Sequence, residues 1–166
     1  MEQTKVKLFL VSGKIASGKS TLAKQLANQN EALLICQDDW LATLFPDEVR
    51  TFEEYIKYFG RLTNIMGRHV ADILKIGKSV ALDFPANTIK TRAWMKSIGD
   101  SAQCRAEMHF LDVPDSVCLQ RLKLRNDSGN HQYKTSEEEF HQFTKYFVAP
   151  SSTEGFDLVL HPSPNP

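Results

Sequence analysis

Gly13-Lys14-Ile15-Ala16-Ser17-Gly18-Lys19-Ser20 is the stretch that decides the fold of this chain. It meets the pattern G-x-x-x-x-G-K-[ST] at every required position, and the spacing has a mechanical reason. Gly13 and Gly18 let the backbone turn tightly, so that successive N–H groups aim inward at a phosphate. Lys19 then reaches the β- and γ-phosphates, and Ser20 offers its hydroxyl to Mg2+. The flanks agree with this reading. Val6 to Val11 is an apolar run of strand length, and Thr21 to Ala27 carries apolar residues at helical spacing. A strand–loop–helix frame sets an anion on a helix N-terminus, where orphan amides and the dipole favour it. Gly13, Lys14, Ile15, Ala16, Ser17, Gly18, Lys19, Ser20 and Thr21 are therefore the predicted nucleotide-binding residues. A Gly/Ser-rich turn matching by chance would lack this frame.

With 166 residues, the chain is long enough to bury most of its apolar surface without disulfides or metals. The reading is one domain over 1–160, followed by an extended, poorly ordered tail at 161–166, His161-Pro-Ser-Pro-Asn-Pro166. Twenty Lys and Arg balance twenty Asp and Glu, so no global field recruits nucleic acid or a membrane surface. Cys36, Cys104 and Cys118 are few, odd in number and widely spaced, which fits buried thiols in a reducing compartment. The chain opens Met-Glu-Gln-Thr without a secretory leader, and its first apolar run is the strand before the loop. No apolar stretch approaches the roughly 20 residues that span a bilayer. The expected location is cytoplasmic, with no membrane partner.

Strands and helices alternate along the rest of the chain. Ala32 to Cys36 reads as a second buried strand, with Asp38-Asp39-Trp40 at its end. Thr51 to Ile76 reads as a long helix, with apolar residues at steps of three and four, a Thr51/Glu54 capping box and Gly77 at its end. Ser79 to Asp83 is a third strand ending in a carboxylate. Asn87 or Thr88 caps a helix running to about Ile98, with Gly99 as the stop, and Ala106 to Leu111 is a fourth strand. Pro114 suits a first helical position, and its helix runs to about Arg125. Asn126 to Lys134 reads as a mobile polar loop. Ser136 to about Phe147 is a helix boxed by Thr135/Glu138 or Ser136/Glu139, and Phe156 to Leu160 is a last strand. This alternation predicts an α/β fold whose parallel sheet is covered on both faces, with ligands at the carboxyl ends of the strands. The phosphate loop, Asp38 and Asp83 all fall at such ends.

Phosphoryl transfer to an alcohol needs a carboxylate that orients the hydroxyl and accepts its proton, and Asp38 stands where that group belongs. Asp39 either contacts substrate or caps a turn. Asp83 closes an apolar run, as the carboxylate that holds Mg2+ directly or through water does, and with Ser20 it forms the expected metal side. Asn87 and Arg92 follow as substrate candidates, although Asn87 caps a helix equally well. Arg121 and Arg125, four apart, project from one face toward a lid, where guanidinium groups neutralise a transferring phosphoryl or stack on adenine. Trp40, beside Asp38, is read as stacking on a flat substrate or lining its pocket. Phe52, Tyr55 and Phe59 read as core before they read as a stacking platform. His69, His109, His131 and His141 show no ligand spacing. Arg61 and Arg68 share one face of the long helix, facing either an acceptor or solvent.

These blocks carry a family resemblance. Gly13 to Thr21, Gln37-Asp-Asp-Trp40, Val80 to Phe84 with Asn87-Thr88 and Arg92, and Leu111-Asp-Val-Pro114 followed by Arg121 to Asn126 occur in the order seen in small P-loop kinases. The chain resembles the zeta-toxin, chloramphenicol-phosphotransferase and polynucleotide-kinase-like group, whose members are often labelled kinases or AAA-type ATP-binding proteins. The resemblance implies a P-loop NTPase three-layer sandwich with a five-stranded parallel sheet in the order 2-3-1-4-5 and a short arginine-bearing lid. It also implies ATP with Mg2+ and transfer of the γ-phosphoryl to a hydroxyl. In the family the first Asp after the second strand is the usual base, here Asp38, and the lid arginines correspond best to Arg121 and Arg125. One departure matters. Polynucleotide kinases often carry an Arg just beyond the paired aspartates, and Trp40-Leu41-Ala42-Thr43 has no basic residue. With zero net charge, this weakens the nucleic-acid reading. The leading expectation is a kinase acting on a small-molecule hydroxyl of a nucleoside, antibiotic, sugar or nucleotide sugar. The alternatives are a 5′-hydroxyl nucleic-acid kinase and a non-transferring ATP-dependent switch.

Overall fold

Successive side chains of a strand point to opposite faces of its sheet. In β1 (Lys7–Ser12), Leu8 and Leu10 enter one apolar cluster and Phe9 and Val11 another, none more than 2% exposed. A strand buried on both faces belongs in the middle of a parallel sheet. The computed structural model, which describes residues 6–129 and 134–162, places β1 there. Its neighbours are β2 (Leu33–Cys36), β3 (Val80–Asp83), β4 (Arg105–Asp112) and β5 (Asp157–Pro162). The sheet order is β2-β3-β1-β4-β5 and every pairing is parallel, as the resemblance implied.

Helices cover both faces. On the Leu8/Leu10 side, α3 (Phe52–Lys75) contributes Leu62, Met66, Val70 and Leu74, and α4 (Ile89–Ser101) contributes Met95 and Ile98. On the Phe9/Val11 side, α1 (Lys19–Gln29) packs Ala23, Leu26 and Ala27. A third cluster joins Cys118 and Leu122 of α5 (Asp115–Ser128) to Phe140 of α6 (Glu137–Lys145), beside Ile15 and Ala16 of the phosphate loop. That cluster fixes the helix bearing Arg121 and Arg125 to the phosphate loop itself. Both capping boxes form, Thr51 with Glu54 and Ser136 with Glu139, each stabilising a helix start by about 1 kcal/mol.

Several boundaries differ from the sequence reading, each for a physical reason. Asp38 and Asp39 lie within the first turn of α2 (Gln37–Leu44), which leaves β2 with no intervening loop. Both carboxylates thereby meet the positive end of the helix dipole. Gly99 is inside α4 and does not end it. It is there for close packing, since a Cβ would stand 3.3 Å from the Cys104 carbonyl and 3.4 Å from the Ala106 Cβ. Gly77, with φ at 91°, does follow the end of α3. Pro114 is the N-cap of α5, one residue earlier than expected. Asn126 to Ser128 are helical and end at Gly129 in the left-handed region, so they are not part of the expected loop, whose residues 130–133 lie outside the described ones. His161 and Pro162 pair with Leu111 and Asp112 as part of β5, so the expected tail loses its first two residues to the sheet. Residues 1–5, 163–166 and His131 lie outside the described residues.

Candidate active site

The carboxyl ends of β1, β2 and β3 open into one cleft of about 530 Å³. Its floor is the phosphate loop. Gly13 has no room for a side chain, because a Cβ would sit 2.5 Å from the Ser17 hydroxyl and 3.2 Å from the Leu111 Cβ. Gly18 caps α1 with φ at 105°, a conformation that L side chains rarely adopt. Ile15, Ala16, Gly18, Lys19, Ser20 and Thr21 line the cleft. Lys14 does not line it, because its ammonium is paired with Asp115 at the start of α5. The Ser17 hydroxyl is buried without a hydrogen-bond partner among the described residues.

Lys19 Nζ donates to the Lys14 carbonyl at 2.7 Å, folded back over the loop. Burial pushes its ammonium down to about 8, against the opposing pull of Asp83 and, more weakly, Asp38. A desolvated cation regains its full charge when an anion binds beside it. Arg121 and Arg125 both reach this cleft, as the four-residue spacing implied. Arg121 Nη1 donates to the Ser17 carbonyl at 3.2 Å. Burial lowers the Arg125 pKa, Asp38 partly restores it, and its Nε is buried without a hydrogen-bond partner among the described residues.

Asp38 and Asp83 also line the cleft. Asp83 ends β3 opposite Cys36 of β2, and the Cys36 thiol donates to its Oδ2 at 3.7 Å. Burial raises that thiol to about 11, so it stays protonated. Asp38 is held by a residue to which the sequence reading gave no role. Gln37, only 2% exposed, donates from Nε2 to Asp38 Oδ1 at 3.2 Å and accepts from the Tyr55 hydroxyl at 3.2 Å. A buried amide between a tyrosine and a carboxylate fixes the orientation of that carboxylate. Asn87 lines the cleft with its Oδ1 buried and unpartnered among the described residues, while Thr88 caps α4.

Other candidates are placed elsewhere. Arg92 is not a substrate contact, because its guanidinium is fully buried and fully engaged. Nε and Nη2 clasp Glu154 at 2.7 and 3.0 Å, and Nη1 donates to the carbonyls of Ala86 and Val148. Burial alone would raise the Glu154 carboxyl, yet Arg92 and the Ser151 amide hold it below its ordinary value. Trp40 and Asp39 are exposed on α2 and do not line the cleft. Two positions on a helix is about 200° of rotation, so Trp40 faces away when Asp38 faces in. Leu41, three positions on from Asp38, lines the cleft instead. Phe52 and Tyr55 line it too, together with Phe143 of α6, whereas Phe59 packs on the core. Arg61 and Arg68 lie outside the cleft. Arg61 covers the Tyr58 ring at 5.3 Å, and Arg68 lies 4.0 Å from Asp72. His109, 5% exposed, is hydrogen-bonded between Glu107 and His161, while His69 and His141 are exposed. No helix among the described residues is long and apolar enough to cross a membrane.

With this geometry in hand, comparisons with known proteins agree on the frame. A family model described as an AAA domain (AAA_33) matches residues 8–150. No protein of curated function matches the sequence significantly. Among solved structures, a candidate kinase from Chloroflexus aurantiacus superposes with a TM-score of 0.73 at 20% identity, covering 98% of this chain and 87% of that one. The APS kinase of Mycobacterium tuberculosis, in complex with AMPPNP and APS, gives 0.62 at 17% identity, covering 98% and 91%. A gluconokinase from Sinorhizobium meliloti gives 0.61 at 13% identity, covering 100% and 86%. At these identities the likeness shows the fold.

Proposed function

This chain belongs to the AAA_33 family of AAA domains, and on that premise we propose that it is an ATP-dependent phosphotransferase acting on the hydroxyl of a small molecule. The observation that carries the proposal is the convergence of Lys19, Arg125, Asp38 and Asp83 on one cleft, with both cations electrostatically coupled to Asp38. A nucleotide switch needs the phosphate loop and a metal-side carboxylate such as Asp83, but has no use for a second carboxylate placed to take a proton from an acceptor hydroxyl. That the related APS kinase structure holds AMPPNP and APS supports a nucleotide and an acceptor sharing such a cleft.

The division of labour follows from charge and position. The amides at the start of α1, with Lys19, hold the phosphates of ATP. Arg121 and Arg125 neutralise charge that spreads over the γ-phosphoryl as it moves. Asp38, oriented by Gln37, accepts the proton of the acceptor hydroxyl. The acceptor oxygen forms the new P–O bond as the bond between the γ-phosphorus and the bridging oxygen breaks, and ADP leaves. A bound Mg2+ would supply neutralisation of the phosphate charge. The Ser20 hydroxyl and the Asp83 carboxylate fit it as hard oxygen donors.

The test is incubation with γ-labelled ATP, Mg2+ and pooled hydroxyl-bearing acceptors. Labelled organic phosphate that requires both enzyme and acceptor is the expected result. Label released only as inorganic phosphate from every pool would replace the transferase reading with an ATPase.

A further inference from the structure

The acceptor side of the cleft differs in chemistry from its phosphate side, and the difference names a substrate class. Phe52 and Tyr55 on α3 and Phe143 on α6 line it together. Phe143 meets Phe52 edge-on at 5.0 Å and 73°, and Tyr55 at 5.8 Å and 83°. Leu41, Val49 and Pro85 extend the apolar wall. An aromatic surface with rings at right angles offers both a face and an edge to a planar guest.

Several polar groups on this wall are already engaged. The Thr51 hydroxyl accepts from the Glu54 amide, and Glu139 Oε2 accepts from the Ser136 amide, each within its own helix cap. Gln37 is engaged by Tyr55 and Asp38. A polyhydroxylated sugar entering here would leave several hydroxyls unpaired, at about 1–3 kcal/mol for each buried one. A ring incurs no such penalty. One buried acceptor atom on this wall is open to a guest. Asn87 Oδ1 is buried without a hydrogen-bond partner among the described residues, an acceptor atom suited to an N–H or O–H on the guest.

We propose that the acceptor is an alcohol carried beside a planar or aromatic ring, such as a nucleoside or an aryl alcohol, with its ring on Phe52, Tyr55 and Phe143. The inference rests on the phosphotransferase reading, so its test separates the two. Binding is measured first, by calorimetry in saturating AMPPNP, with thymidine, 2-phenylethanol, glucose and gluconate as probes. Thymidine or 2-phenylethanol binds at least tenfold tighter than either sugar, and Phe143→Leu or, independently, Phe52→Leu removes that margin. Transfer is then read with γ-labelled ATP. Ring-bearing alcohols are labelled in preference, and Phe143→Leu raises their KM about tenfold with the KM for ATP unchanged. Preferential binding or labelling of glucose or gluconate overturns the substrate class and leaves phosphotransfer standing. Ring-selective binding without labelled product upholds the class of guest and removes the transferase reading. Equal binding of all four probes, or a margin that survives both ring substitutions, overturns the aromatic site.

Discussion

The proposed phosphate side and the proposed acceptor side of the cleft are built by different means. The phosphate side is made mainly of backbone from one short segment, residues 13–21, and its charge is supplied by Lys19 with Arg121 and Arg125. The acceptor side is made of side chains from α2, α3, α6 and the segment after β3, brought together only by the tertiary fold. A backbone cradle recognises any triphosphate, because its N–H groups are present whatever the side chains are. A side-chain wall is specific to its guest and can be rebuilt without disturbing the cradle. Substitutions that act on one side and spare the other are therefore the sharpest way to test the division.

The largest separation is expected from Asp38→Asn. Loss of the proton acceptor lowers the transfer rate by about 10²–10⁴-fold, while ATP affinity by calorimetry changes little. A variant that loses ATP binding in parallel would show that Asp38 belongs to the phosphate side.

Arg92→Ala touches neither side and is expected to act on stability alone. Breaking the buried pair with Glu154 costs about 3–5 kcal/mol, read as a fall in the urea midpoint. The pair also has a pH signature. Glu154 is held below its ordinary value of 4.5, so its contribution is present above that value and lost as pH falls through the depressed one. The acid destabilisation of the wild type is thus steeper than that of Arg92→Ala. Unchanged stability in the variant would return Arg92 to the list of substrate contacts.

Lys19→Ala is expected to weaken ATP binding about 100-fold, the worth of one or two charge-assisted hydrogen bonds, and to spare acceptor binding. Phosphates favour the protonated ammonium, so they raise its pKa above the free-site value of about 8. Affinity for ATP is then level with respect to this group below pH 8. It falls about tenfold per unit as pH rises above 8, until the bound-state value is reached. Calorimetric titrations between pH 7 and 10 check this, and a slope that persists in Lys19→Ala would assign the titration to another group.

The smallest effect belongs to Gln37→Leu, about tenfold in kcat. Losing the hydrogen bond that orients Asp38 lowers kcat and leaves the KM for ATP unchanged, and Gln37→Glu, which cannot donate when ionised, does no better than Gln37→Leu. A loss that appears equally in stability, with kcat of the folded variant unchanged, would make Gln37 a packing residue only.

The contrast also explains which parts were legible in the sequence. The sheet and the phosphate loop declare themselves locally, through apolar runs and a contiguous motif, and Asp38, Asp83, Arg121 and Arg125 follow from their places in that frame. The acceptor wall does not, because Phe52 and Phe143 are 91 positions apart and meet only when α6 folds over α3. Trp40 was misplaced for want of a helix directly after β2. Taken as helical, Asp38 selects Leu41 for its own face and turns Trp40 outward. Arg92 misled because an arginine just beyond a strand end resembles a substrate contact, and its partner Glu154 is 62 residues away. The Phe52/Tyr55/Phe59 stripe divided by depth along α3, with its first two rings on the cleft and the third on the core. Helical periodicity reports which face is apolar but not whether a guest or the sheet covers it.

The central claim is that the two sides act on one reaction, and the fate of the γ-phosphoryl in a single turnover tests it most directly. With enzyme in excess over γ-labelled ATP and a saturating acceptor from the labelled pool, the label is predicted to appear in an organic phosphate ester in step with ADP. Inorganic phosphate is then suppressed relative to the reaction without acceptor. Label that leaves wholly as inorganic phosphate, at a rate indifferent to every acceptor, would contradict the account.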